Sequence, residues 1–232
     1  GLQANEPVDW ISARIYKSSN DGIYKDKYPG NDDTDSTSFS WDGSLSSTSS
    51  TASDGKYYLE AHIKDRAGHD EDNIKLEDHG IIVDTQSPEV TIDSPSEGDI
   101  IRSSDSKVEV EYSASDENMS SCYYQIDDNS RESLSNCESP ATINIEEDGW
   151  HQIKIIVEDG AENQSSDSIN ILMDSDNILT VKKGDGGDFD SIQSAVDAAQ
   201  EEDTVKVFDG IYEERVEVTT PNIDLVSNNK HG

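Results

Sequence analysis

Positive charge is scarce in this chain: 17 Lys and Arg stand against 51 Asp and Glu in 232 residues, a formal net charge of −34. A phosphate backbone is gripped by a positive surface, so nucleic-acid binding is excluded. Long apolar runs are missing too. Stretches such as Ile81-Ile82-Val83 fall far short of the roughly 18 apolar residues of a spanning helix, so no membrane span is expected. Hydrophobic residues make up only 31% of the chain, near the border at which burial fails to offset conformational entropy. There are just two cysteines, with no His or Cys pair beside them to complete a zinc tetrahedron. No basic stretch followed by an apolar one precedes Val8, and the chain begins with Gly1, which reads as a removed signal peptide or an excised piece.

So acidic a chain needs an environment that tolerates it. Molar salt shortens the Debye length from about 10 Å at 0.1 M to about 3 Å and removes most of the repulsion between neighbouring carboxylates. The composition resembles that of proteins from salt-saturated habitats; a calcium-loaded surface protein from a dilute habitat is the alternative. Cys122 and Cys137 flank an apolar stretch and the turn-like Asp127-Asp128-Asn129-Ser130, which folds them towards each other as a hairpin. A disulfide there closes a loop worth about 3 kcal/mol and implies an oxidising compartment; two reduced, half-buried thiols are the alternative.

The most informative feature is a repeat. Asp54-Gly55 is followed by nine residues and Asp65-Arg66-Ala67, and 94 residues later Asp148-Gly149 is followed by nine residues and Asp159-Gly160-Ala161. Tyr57, Leu59, Ala61 and Ile63 alternate in the first copy, and His151, Ile153, Ile155 and Val157 in the second. Period two predicts strands with one buried face, entered and left by turns. Strands are expected over 8–16, 37–41, 57–64 and 74–83, then over 89–93, 107–114, 121–126, 142–145, 150–157 and 168–173. This series of short strands and turns spells a β-sandwich. Trp41-Asp42-Gly43, Asp54-Gly55-Lys56-Tyr57, Asp65-Arg66-Ala67-Gly68 and Val83-Asp84-Thr85-Gln86-Ser87-Pro88 resemble the immunoglobulin-like domains strung in tandem on bacterial and archaeal surface proteins. The resemblance implies that Asp84-Thr85-Gln86-Ser87-Pro88 is a junction between two such domains.

The last segment reads differently. Leu179 to Val181 leads into Gly184-Asp185-Gly186-Gly187, and Asp190 to Gln200 reads as a helix, capped by Asp190 with Gln193 and buried along Ile192, Ala195, Val196 and Ala199. Lys183 to Phe189, Ile192 to Val196 and Asp203 to Tyr212 resemble the N-terminal end of the right-handed parallel β-helices of the pectinesterase and pectate-lyase type. That resemblance implies a helix plugging the stack and a first coil, with the active-site aspartates and arginine on later coils. The expected architecture is therefore all-β: immunoglobulin-like sandwiches over 1–85 and 86–176, then the helix-capped first coil of a parallel β-helix over 177–232.

Calcium, which prefers several converging carboxylate oxygens, is the only cofactor the sequence suggests. Asp65, Asp84 and Asp116 form one expected junction set, and Asp159, Asp174 and Asp176 a second; hydrogen bonds within turns are the alternative for Asp65 and Asp159. Asn118-Met119-Ser120 and Asn163-Gln164-Ser165 fit the N-glycosylation pattern, which chance also supplies in a chain with 33 serines. Ser44 to Ser53 reads as a solvated loop. Trp10, Trp41 and Trp150 read as core residues rather than a sugar platform. No Gly-x-Ser-x-Gly elbow or phosphate-binding glycine pattern is present, and no residue is assigned to catalysis. The expected role is display and adhesion by an extracellular or cell-surface modular protein, its partner a surface glycan or protein. Accessory modules of a polysaccharide lyase or esterase, with catalytic coils beyond residue 232, are the rival.

Overall fold

The two Asp-Gly frames become two strands of equal length, Gly55–Asp65 and Gly149–Asp159. Gly55 (φ +138°) and Gly149 (φ +125°) adopt backbone conformations that side-chain-bearing residues resist, so each frame needs its glycine at the strand entrance. The computed structural model describes residues 2–17, 23–27, 34–37, 41, 43, 51–65, 70–184 and 186–228. They divide between two units, Gly1–Gln86 and Ser87–Gly232.

In the first unit β1 (Leu2–Lys17), β2 (Ile23–Lys27), β3 (Thr34–Thr37), β4 (Gly55–Asp65) and β5 (Asp70–Val83) form one antiparallel sheet. Its order is β2-β1-β4-β5, with β3 on β1. Ile15, Ala52 and Tyr57 are buried together, with Trp41, Leu59 and Val83 packed against them. The second layer that a sandwich requires is not among the described residues. The expected strand over 37–41 and the Ser44 to Ser53 loop fall largely outside them.

The second unit does have two layers. It contains β6 (Glu89–Ser94), β7 (Ile100–Ile101), β8 (Lys107–Ser115), β9 (Met119–Ile126), β10 (Glu132–Leu134), β11 (Ala141–Asn144), β12 (Gly149–Asp159) and β13 (Gln164–Met173). One sheet runs β10-β9-β12-β13-β7 and the other β11-β8-β6. Every second residue points inward: Val108, Val110 and Tyr112 from β8 meet Ile153, Ile155 and Val157 from β12 and Ile169, Ile171 and Met173 from β13. This is the two-layered β-sandwich that the alternation predicts.

The sandwich continues into β14 (Ile178–Val181), α1 (Ile192–Ala198), β15 (Thr204–Val207) and β16 (Asp224–Ser227). The three strands are parallel and in register, with Leu179, Val205 and Leu225 side by side. Three parallel strands and one crossover helix are what the described residues form; closed β-helical coils are not among them. The helix starts two residues later than expected. Ser191, not Asp190, is the N-cap, and Gln193 bonds Glu217 and Asp197 rather than closing a capping box. The Glu214 carboxylate takes the first helical N–H groups instead, from Ile192 at 3.0 Å and Gln193 at 2.9 Å.

One strand belongs to two cores. Ile171 and Met173 of β13 point into the sandwich, whereas Leu172 between them is fully buried on the other side, with Leu179, Val181, Ala195, Val196 and Val205. Burying such a leucine is worth about 1.5–3 kcal/mol. Burial on both faces breaks the alternation of Ile171-Leu172-Met173 and makes 87–232 one body.

Candidate functional site

The aspartates of the two repeats have a definite task. Asp54 Oδ1 accepts from Thr85 N (3.1 Å) and Thr85 Oγ1 (2.9 Å), and its Oδ2 accepts from Gln86 Nε2 (3.1 Å). In the second unit Asp148 accepts from Ser175 N (2.8 Å) and Ser175 Oγ (3.0 Å). Each aspartate at a strand entrance thus clamps the chain as it leaves the last antiparallel strand of its own unit. Hydrogen bonds from Gln86 and Thr85 hold the Asp54 carboxyl below its ordinary value. Sequence spacing matched the two frames but gave no hint of the clamp, because Thr85 and Ser175 are remote in sequence and differ in kind.

The described residues bear on the expected metal sets only in part. Asp65 ends β4, and its side chain lies outside the described residues. Asp84 follows β5 in the first unit and accepts from Gln86 N at 3.1 Å. In the second unit Asp116 and Asp159 do come together, with carboxylate oxygens within 4.8 Å. Asp159, buried, also accepts from Ala161 N, Asn163 N and Asn163 Nδ2 at 2.8–2.9 Å. Burial pushes its carboxyl up, but the Asn163 and Ala161 bonds outweigh that and leave it below the usual value. Asp174 and Asp176 stand at the far end of the sandwich, because Glu158 pairs with Gln164 at one end of the β12–β13 ladder and Gly149 with Met173 at the other. Nine residue steps at about 3.3 Å separate the ends by roughly 30 Å. The second set, Asp159 with Asp174 and Asp176, is therefore corrected: one carboxylate is remote from the other two.

At that far end the cation is an arginine. Arg102 Nη2 lies 2.6 Å from Asp203 Oδ2, and its Nε 3.8 Å from Asp174 Oδ2. The Asp174 and Asp203 side chains are each 3% exposed. Two carboxylates and a guanidinium are a set that sugar chemistry could use, but burial this deep admits no substrate. In sequence, the one signal for Arg102 is the scarcity of arginine in so acidic a chain.

Cys122 and Cys137 are joined by a disulfide, Cys137 lying in a single 3-10 turn (Ser135–Cys137) that follows β10. Arg131 stacks on the Tyr123 ring at 4.1 Å. Tyr124 donates to Glu132 at 2.6 Å; that bond, with burial and the Glu132 charge, pushes the phenol up to about 12. Of the glycosylation candidates, Asn163 commits its Nδ2 to Asp159 at 2.8 Å, and Asn118 is half-buried, its N–H on Asp116 at 2.6 Å. Trp41 packs on Tyr57 in the first core, as expected. Trp150 does not: it is 45% exposed and donates from Nε1 to the Asp188 carbonyl, because its side of β12 faces away from the sandwich core. The side chain of Trp10 lies outside the described residues. His151 joins Asp127 and the Glu147 carbonyl, with no nucleophile among these partners.

No family model matches the chain, and no curated protein does. Solved structures to which the chain is similar include two modular proteins. The fibronectin(III)-like modules of Clostridium thermocellum CbhA share 16% identity over 75% of this chain and 83% of theirs, with a TM-score of 0.43. The N-terminal four Ig domains of Dscam1 isoform 7.44 share 14% over 71% of this chain and 38% of theirs, with a TM-score of 0.29. The sandwich assignment rests on the strand order of Ser87–Met173 itself.

Proposed function

We propose that the chain is a non-catalytic display and adhesion segment, a spacer, of a secreted or cell-surface modular protein, in which sandwich units display a parallel β-sheet that opens a β-helix. The observation that carries this reading is the clamp built twice, Asp54 on Thr85 and Asp148 on Ser175, which fixes the first residues of each connection. The disulfide suits an oxidising, extracellular setting. The acidic surface suits a saline one. In the described residues, the one cluster with an enzyme-like make-up, Arg102 with Asp174 and Asp203, is buried.

Force spectroscopy on the full chain pulled from both ends tests the reading. A spacer gives discrete unfolding events, with Ser87–Gly232 yielding as one. Gradual extension without a force peak, or turnover of a polysaccharide by the same preparation, overturns it. Adhesion predicts in addition that the intact chain is retained on a glycan or protein surface without releasing product.

A further inference from the structure

Arg102 leaves the sandwich just after β7 and reaches the turn that opens β15. Its Nη2 is hydrogen-bonded to Asp203, but its Nε and Asp174 Oδ2, 3.8 Å apart, are both buried without a hydrogen-bond partner. Asp174 Oδ1 is occupied by Ile178 N at 3.0 Å, and Asp203 Oδ2 also accepts from Gln200 N at 2.7 Å. One guanidinium therefore serves two buried carboxylates. The charged groups acting on Asp174 are Arg102 from the loop after β7, Asp203 from the turn before β15 and Asp176 from its own loop. Asp148, at the start of β12, is turned to Ser175. A buried carboxylate short of donors and outnumbering its counter-ion is costly in the ionised form.

We propose that this centre is a proton-operated latch between the sandwich and the parallel sheet: one proton taken up at Asp174 leaves Arg102 and Asp203 as a balanced pair and holds the two layers together more tightly. The latch is independent of whether the chain serves as a spacer. Burial holds the Asp174 carboxyl above its ordinary value, and the Asp203 and Asp176 charges act in the same direction, against the Ile178 N–H and the Arg102 charge. With the folded-state value raised, the stabilisation is fully present below the ordinary value of 3.8 and is lost as pH rises through the raised one.

Hydrogen exchange on the full chain at a series of pH values tests this, comparing amides of Leu179–Val181 and Thr204–Val207 with those of Ile153–Val157. In the unsubstituted protein, opening of the parallel sheet relative to β12 should rise by up to about tenfold per pH unit across the titration. Asp174→Asn keeps the acceptor for Ile178 N and removes the charge, so its ratio should be flat; the other carboxylates are common to both proteins and cancel. Arg102→Met should open the sheet at every pH while β12 stays protected. Parallel pH profiles for the unsubstituted protein and Asp174→Asn overturn the proposal, as does joint exchange of the two regions in Arg102→Met. Carboxyl-carbon NMR of Asp174 needs no variant: titration at the ordinary value sinks the latch, and titration above it supports it.

Discussion

β4 and β12 share a frame of Asp-Gly, nine residues and Asp, fold to the same length and enter through the same kind of glycine, yet their surroundings differ. β12 lies between β9 and β13 in a two-layered sandwich, and Ile153, Ile155 and Val157 are completely buried. β4 lies between β1 and β5 in a sheet whose described buried apolar residues are four, Ile15, Ala52, Tyr57 and Ala61. The frame dictates a strand, its entry turn and the clamp on the departing chain. It does not dictate the second layer, which comes from β8 and its partners. The units also differ in charge: residues 1–86 carry 17 acidic against 8 basic groups, and residues 87–232 carry 34 against 9.

The sharpest way to break this comparison is to truncate matched positions. Ile155→Ala, at a fully buried site, should cost about 2–5 kcal/mol in urea unfolding, whereas Leu59→Ala, half-buried, should cost less. Equal losses would show that β4 has as complete a core as β12. Reducing the Cys122–Cys137 bridge should lower the stability of the second unit by about 3 kcal/mol and leave the first unchanged, as read by separate melting transitions before and after reductant.

Salt provides a third contrast. Circular dichroism from dilute buffer to molar salt should show β-structure gained cooperatively, and the transition of Ser87–Gly232 should move further because its surplus of negative charge is larger. An unchanged fold in dilute buffer would remove the saline-habitat reading. The smallest effect belongs to the clamp. The folded-state carboxyl of Asp54 is held below 3.8, so its contribution is present above that value and fades as pH falls through the lower one. Asp54→Ala should therefore shift the melting temperature of the first unit downward near neutral pH and lose that effect in strong acid, while Asp148→Ala acts on the second unit only.

Much of this fold was legible because alternation is a local signal: both Asp-Gly strands, the helix stripe and the hairpin that brings Cys122 to Cys137 follow from residues close in sequence. The rest depended on distant partners. Leu172 looked like one more residue of a sandwich strand until the parallel sheet covered it. Nothing near Asp174 in sequence announces its neighbour Arg102, 72 residues earlier. The pairing of Asp116 with Asp159 was hidden likewise, since an acidic residue in so acidic a chain carries little information on its own. The Asp-x-x-Gln pattern headed by Asp190 points to a cap one residue early; Ser191 caps instead, its hydroxyl accepting from Ser194 N at 3.1 Å.

The strand whose neighbouring side chains feed opposite cores sets a limit on how such proteins can be cut and recombined. A cassette boundary drawn at Asp176, where the sequence pattern changes, would strip Leu172 of its cover and leave the transplanted parallel strands without a floor. The natural place for the scissors is ahead of Ser87, so any shuffling of this architecture should move sandwich and sheet as a single heritable piece.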